Sequence, residues 1–279
     1  MSKRCFIMGL PGAGKTTFLA ALWHSINSNS FATKLKLEKI DNGQYLAQLS
    51  RKWVDAEPLE RTVPSNEQKD IGIKLRTANG MTFDLFFPDL SGETFQKQYE
   101  QRVISEELSE YIQTSDAILI FIHVDKVKPT GLISEHSTDV PEEDFASKIV
   151  RDPKKHDPLQ VQMIELLQFI ISIRKDKLTK TNMDFVFSAW DLVKQTALDM
   201  TPADFLFKNM NMLWQFCNSN SDVLHYNTWG ISAQGADYAH KETLLEKNSP
   251  IERIIVEDSV GNKGGDITLP LYLLMGENE

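Results

Sequence analysis

The sequence predicts an α/β fold of three layers: a mostly parallel sheet with one antiparallel hairpin strand, and helices on both faces. Apolar strand-like runs alternate along the chain with amphipathic helical stretches, the pattern of a parallel sheet covered on both sides. The run Ala117 to Val124 (AILIFIHV) is nearly continuous in apolar residues, as a strand buried on both faces should be. Ile71, Ile73 and Leu75 alternate with Gly72, Lys74 and Arg76, Ala78-Asn79-Gly80 makes a turn, and Met81 to Phe87 returns. Asn-Gly between β-rich runs is a strong hairpin signal.

The remaining elements follow in order. Arg4 to Met8 (RCFIM) reads as a strand, and Thr17 to Ile26 as a helix with Phe18, Leu19, Leu22, Trp23 and Ile26 on one stripe. Leu35 to Ile40 is expected as a short strand, and Asn42 to Val54 as a helix carrying Tyr45, Leu46, Leu49 and Trp53. Residues 55–69 hold two prolines and no period, so they read as an exposed loop. Residues 92–115 carry Phe95, Tyr99, Val103, Ile104, Leu108, Tyr111 and Ile112 at helical spacing. Lys126 to Asp157 is rich in Pro, Ser, Asp and Glu and reads as an insertion with little regular structure. Pro158 opens a helix through Arg174, Met183 to Phe187 is a strand, and Thr201-Pro202 is the N-cap and first residue of a helix through Phe216. Leu224 to Ile231 is the last clear strand, residues 234–265 are loop-like, and Leu269 to Met275 is a short closing helix. The chain is expected to be a single domain, 1–279, with insertions at about 27–69, 126–157 and 234–265.

Composition narrows the class. The 279 residues are 41% hydrophobic and 25% charged, as in a globular protein with a sizeable core. Cys5 and Cys217 lie far apart, Cys5 within a strand, so reducing conditions fit best. The net charge of −9 disfavours general nucleic-acid binding. No apolar run approaches the ~18 residues that span a bilayer, and the N-terminus lacks signal-peptide architecture, so a cytoplasmic location is expected.

Between the first strand and the first helix lies GLPGAGKT, residues 9–16, a complete G-x-x-x-x-G-K-[ST] phosphate loop. Gly9 and Gly14 permit close backbone approach that a Cβ would obstruct. The amides of Gly12, Ala13, Gly14, Lys15 and Thr16 can then turn toward phosphate oxygens at a helix N-terminus. Lys15 reaches the β- and γ-phosphates. Thr16 offers a hydroxyl to Mg²⁺, a hard cation that prefers oxygen. Thr17 starts the helix beside the phosphates.

Further signals sit at later strand ends, where ligands of such sheets gather. Asp89-Leu90-Ser91-Gly92-Glu93 ends the hairpin strand. Asp89 can hold Mg²⁺ directly or through water, and Gly92 can set its amide beside a γ-phosphate. Ser188-Ala189-Trp190-Asp191 ends the FVF strand, where Asp191 can accept two hydrogen bonds from one edge of guanine. Adenine lacks that pair of donors. After the last strand, the amides of Ser232-Ala233-Gln234 can meet the base carbonyl oxygen.

GLPGAGKT, DLSGE, SAWD and ISA, in this order over roughly residues 4–235, resemble the translation-factor-like branch of P-loop GTPases, which includes Ras-like and G-protein α-subunit domains. The resemblance implies the three-layer P-loop NTPase fold, GTP/GDP with Mg²⁺, and switch loops sensitive to the γ-phosphate. The phosphate loop running into KTTFLAALWH, the DLSGE segment and the large insertions also resemble GTPases of bacterial double-GTPase conflict systems. That narrower likeness implies a companion GTPase and a role in antiphage defence.

Departures from the pattern bear on mechanism. The family's Asn-Lys-x-Asp is here SAWD, so the Asn that braces the loop and the Lys that packs on the base are absent. Trp190 could cover the base instead, and guanine specificity rests mainly on Asp191. Glu93 stands where many relatives carry a water-positioning Gln, which implies slow intrinsic hydrolysis. For the first switch, Thr62 is the candidate ligand of Mg²⁺ and the γ-phosphate, with Thr33 and Ser65 as rivals. Arg61 is either a cis arginine that stabilises transition-state charge or a solvated loop residue. The expected function is a GTP-binding and hydrolysing switch whose loops are read by a protein partner. An ATP-using P-loop enzyme and a nucleotide-gated interaction module with negligible turnover are the alternatives.

Overall fold

The computed structural model describes residues 2–28, 32–40, 43–59, 71–87, 92–128, 152–153, 157–174 and 179–276. Strand β1 (Lys3–Met8) enters the phosphate loop and helix α1 (Lys15–Asn27) leaves it. The expected stripe of α1 is buried, and so are Ala20 and Ala21, because the helix is covered by α2 (Gly43–Val54) as well as by the sheet. Strands β2 (Lys36–Ile40), β3 (Ile71–Arg76), β4 (Thr82–Phe87), β5 (Ala117–His123), β6 (Thr181–Ser188), β7 (Leu224–Ser232), β8 (Ile255–Glu257) and β9 (Lys263–Gly264) complete one sheet. Its order is β2-β3-β4-β1-β5-β6-β7-β8-β9.

The centre of this sheet is parallel: β1 pairs with β4 and β5, β5 with β6, and β6 with β7. The hairpin is antiparallel, with Ile71 opposite Phe87 and Arg76 opposite Thr82. Gly80, at φ 86°, sits in its turn. Strand β2 extends this edge, and β8 and β9 extend the other, all antiparallel.

Successive residues of a strand face opposite sides. Cys5 and Ile7 therefore belong to a core beneath α1, α2 and α10 (Leu269–Met275), with Phe18, Trp53 and Leu271. Phe6 and Met8 belong to the opposite core, with Ile112, Leu166, Phe205 and Leu213. Those residues come from α4 (Glu106–Thr114), α5 (Leu159–Ile173), α7 (Pro202–Asn209) and α8 (Asn211–Ser219). The parallel strands β1, β5, β6 and β7 all point their carboxyl ends, Met8, His123, Ser188 and Ser232, to one side.

Several expected boundaries differ. The 92–115 stretch is two helices, α3 (Glu93–Gln101) and α4. Arg102 ends α3 in the left-handed conformation, φ 56°, and the Ser105 hydroxyl starts α4 by accepting from the Leu108 amide at 3.2 Å. The helix expected from Thr201 to Phe216 breaks at the buried Met210, φ −133° and ψ 49°, into α7 and α8. Its start is as expected: Thr201 and Asp204 form a reciprocal cap and Pro202 begins the helix. Helix α6 (Trp190–Thr196) was not expected. The loop-like 234–265 region contains α9 (Lys241–Leu245) and the two outer strands β8 and β9.

Candidate functional site

The phosphate loop is shaped by left-handed glycines, Gly12 at φ 66° and Gly14 at φ 89°. The Ala13 amide donates to the Leu10 carbonyl at 3.1 Å, which closes the turn. Lys15 is only 2% exposed, and its ammonium donates to the carbonyls of Gly9 at 2.5 Å and Leu10 at 3.4 Å. Burying a cation is costly unless oxygens surround it, so the loop's own backbone keeps the charge at the loop. Thr16 lies in the first turn of α1, beside Thr17.

Two other elements press on this loop. A Cβ on Gly92, the residue before α3, would lie 2.5 Å from the Gly9 carbonyl oxygen and 2.7 Å from Lys15 Nζ. Glycine thus lets the start of α3 meet the phosphate loop. Glu93 is the first residue of α3 and is exposed. After β5, the turn Val124–Lys126 brings the Lys126 ammonium to the Pro11 carbonyl oxygen. Sequence reasoning missed Lys126, whose only signal was a lysine just past a strand end. Arg61, Thr62, Ser65 and Asp89 lie outside the described residues. The rival Thr33 hydroxyl donates to the Leu35 carbonyl at 2.7 Å, while the Leu35 amide reaches Thr268.

Behind the loop, a cavity of about 400 Å³ opens at the carboxyl ends of β5, β6 and β7. Gly14, Thr17 and Phe18 line one side, and Phe121, Ser188, Asp191, Ser232, Ala233 and Gln234 line the others. The Ser188 hydroxyl donates to the Ala13 carbonyl at 2.8 Å. The bracing Asn is therefore absent, but a hydroxyl at its position ties the two loops together. Ala189 turns the chain at φ 55° and ψ 43°, a conformation that costs an L-residue about 1–2 kcal/mol. That turn puts Asp191 in the first turn of α6. Asp191 Oδ1 accepts from the Ser232 hydroxyl at 2.5 Å, whose oxygen accepts from the Gly235 amide at 3.0 Å. Ser232, expected to act through its backbone, thus also orients the carboxylate.

Trp190 does not cover this cavity. It is fully buried, and its Nε1 donates to Glu257 Oε2 at 3.0 Å. Glu257 also pairs with Lys194 at 2.7 Å, so β8 is bolted to α6 from beneath. Helical spacing turns Trp190 into the core while Asp191 faces the cavity. His123 lines the cavity as well, and its Nδ1 accepts from the Asp125 amide. Burial and the nearby Lys126 ammonium push its ring below the ordinary imidazole pKa, so it is neutral at pH 7. Burial pushes the Tyr238 phenol up, keeping it protonated.

The cavity thus joins a phosphate loop at one end to an oriented carboxylate at the other. The family model described as Double-GTPase 1 matches residues 6–274. The chain belongs to this family. The Double-GTPase 1 chain is a P-loop GTPase with the expected α/β architecture, and its family is one of guanine-nucleotide-binding switch proteins.

Similar solved structures include the Arl6 (BBS3) small GTPase of Trypanosoma brucei with a bound GppNp analogue, 10% identical, TM-score 0.42, covering 88% of this chain and 96% of that one. The Ski7 GTPase-like domain of S. cerevisiae bound to GTP is 13% identical, TM-score 0.47, with 100% of this chain and 51% of that chain covered. The SRb-GTP/SRX complex from Chaetomium thermophilum gives 14% identity, TM-score 0.42, and coverage of 85% and 93%. No curated protein matches the Double-GTPase 1 chain significantly. Among the described residues no helix is long and apolar enough to cross a membrane.

Proposed function

We propose that this Double-GTPase 1 protein binds GTP with Mg²⁺, hydrolyses it to GDP and phosphate, and switches the conformation read by a companion GTPase in bacterial antiphage defence. The observation that carries the nucleotide reading is that Gly14 of the phosphate loop and Asp191 line one cavity of about 400 Å³. Asp191 is the acceptor for the N1–H and N2–H₂ donors of guanine, and the Ser232 hydroxyl limits its rotation. Amides of Gly12, Ala13, Gly14, Lys15, Thr16 and Thr17 surround the phosphates, with Ala233 beside the base. Lys15 stabilises the charge that develops on the β–γ bridge.

Thr16, Thr62 and Asp89 supply hydroxyl and carboxylate oxygens, a donor set that fits a hard cation. Mg²⁺, when bound there, neutralises charge shared by the β- and γ-phosphates. Glu93, or a residue of the partner, orients the attacking water, and Arg61 stabilises transition-state charge in cis. Loss of that phosphate frees Thr62 and Gly92, and their loops relax. The family description, Double-GTPase 1, supports the companion, and the resemblance to conflict-system GTPases supports the defence role.

Nucleotide competition on the purified protein tests the first step. At least tenfold preference for GTP over ATP is expected, and the reverse preference overturns the assignment. Lys15→Ala should abolish binding, and a loss below twofold sinks the phosphate-loop role. Steady phosphate release that needs Mg²⁺ supports hydrolysis. Release of no more than one equivalent, even with the companion present, leaves a binding switch only. Phage titres on cells carrying the pair, with and without Lys15→Ala, test the defence role.

A further inference from the structure

Helix α2 belongs to the insertion between α1 and the hairpin, yet it touches the segment expected to read the base. Trp53 is fully buried near the end of α2, and its indole Nε1 donates to the Ala233 carbonyl at 2.9 Å. The indole is held from other elements. The His24 ring of α1 lies 5.2 Å away, and the Arg253 guanidinium sits 5.6 Å from the indole centroid. Arg253 also donates to the Trp53 and Val54 carbonyls, both at 3.0 Å, so the helix end itself is fixed.

A trans peptide is planar, with its C=O and N–H pointing in opposite directions. The carbonyl of Ala233 and the amide N–H of Gln234 belong to one such plane. Drawing that carbonyl toward Trp53 turns the Gln234 N–H away from α2. Ala233 and Gln234 line the cavity, whereas Trp53 stands behind them.

We infer that Trp53 is a positioning residue for base recognition: it aims the Gln234 amide at the O6 acceptor of guanine. This rests on the guanine-nucleotide reading above. Asp191 covers the N1 and N2 donors, and the Trp53-held peptide supplies the donor that O6 requires. An adenine would present its own N6–H₂ to that donor. The insertion helix thereby takes part in choosing the base, and the base loop is linked to the chain that leads into residues 60–70.

The test compares GTP with 6-thio-GTP, whose sulfur is a poor acceptor at the same position. Trp53→Phe keeps an aromatic ring and deletes the N–H. Wild type should prefer GTP by about tenfold, a typical worth for one buried hydrogen bond of ~1.4 kcal/mol. Trp53→Phe should lose most of its GTP affinity advantage while its 6-thio-GTP affinity stays within twofold. Equal losses for both nucleotides, or no loss for either, overturn the inference. Should Trp53→Phe fail to fold, benzothienylalanine at position 53 keeps the full ring volume without the donor and is read the same way. Failure of wild type to bind GTP, or Lys15→Ala binding like wild type, strikes the guanine-nucleotide reading itself. Unchanged discrimination in a GTP-binding Trp53 variant strikes only this inference.

Discussion

Ser188 and Ala13 are 175 positions apart in the chain, and the hydroxyl of one donates to the carbonyl of the other at 2.8 Å. The bond crosses from the end of β6 to the phosphate loop, and Gly14 makes room for it: a Cβ there would lie 2.7 Å from Ser188 Oγ. Ser188→Ala removes the donor and leaves a buried carbonyl without that partner. Such a bond is worth about 1 kcal/mol, so GTP affinity should fall by roughly fivefold, with a stability loss of about 1 kcal/mol. Calorimetric titration and urea unfolding check the two values. Unchanged affinity would show that the two loops are positioned independently.

Gly92 and Gly80 separate two costs of a side chain. Both are left-handed, at φ 77° and φ 86°. A Cβ on Gly80 meets nothing within 4 Å, whereas one on Gly92 collides with the Gly9 carbonyl and Lys15 Nζ. Gly80→Ala should cost about 1 kcal/mol of stability from backbone strain alone and leave nucleotide binding intact. Gly92→Ala should carry that strain and also push α3 off the phosphate loop, with at least tenfold weaker GTP binding. Paired unfolding and binding measurements on both variants decide this, and equal binding losses would defeat the argument.

What the sequence reveals is the chemistry that acts locally. GLPGAGKT needs only its own glycines and the flanking strand and helix, and Asn79-Gly80 needs only a turn between two β-rich runs. Contacts that close over long separations are not legible. The burial of Trp190 depends on Glu257, 67 positions away. Strands β8 and β9 have three and two residues, too short to show a period, and take their geometry from the edge of β7. The break at Arg102 has neither glycine nor proline to announce it, and Met210 divides α7 from α8 by turning into the core. Lys126 reaches the phosphate loop only because β5 and β1 are neighbours.

Gln234 shows a stability cost carried at the site. It is 9% exposed, and neither amide atom has a hydrogen-bond partner among the described residues. An unsatisfied buried polar group costs about 1–3 kcal/mol. Gln234→Leu keeps similar length without the polar atoms, so the nucleotide-free protein should gain about 1 kcal/mol or more in urea unfolding. The backbone amide that faces the base is retained, so GTP binding should survive. A loss of stability would show that the amide is satisfied.

Asp184 in the middle of β6 sets a pH dependence of its own. It is 1% exposed, and its oxygens accept from Asn227 N at 3.0 Å and Trp229 Nε1 at 2.7 Å. Burial outweighs those donors and raises its carboxyl to about 7. In the unfolded chain an Asp titrates near 4. Below about pH 4 both states hold the proton, and the group imposes no penalty. Between about pH 4 and 7 the unfolded chain ionises while the folded one resists, so stability is lost as pH rises and the full penalty is reached above 7. Its size is on the order of a few kcal/mol. Asp184→Asn removes the titration and retains an acceptor for one of the two donors. The difference in unfolding free energy, variant minus wild type, should therefore rise between pH 4 and 7 and then level off. Urea unfolding at unit pH steps measures it. A flat difference would mean that the Asp184 carboxyl keeps its ordinary pKa in the folded protein.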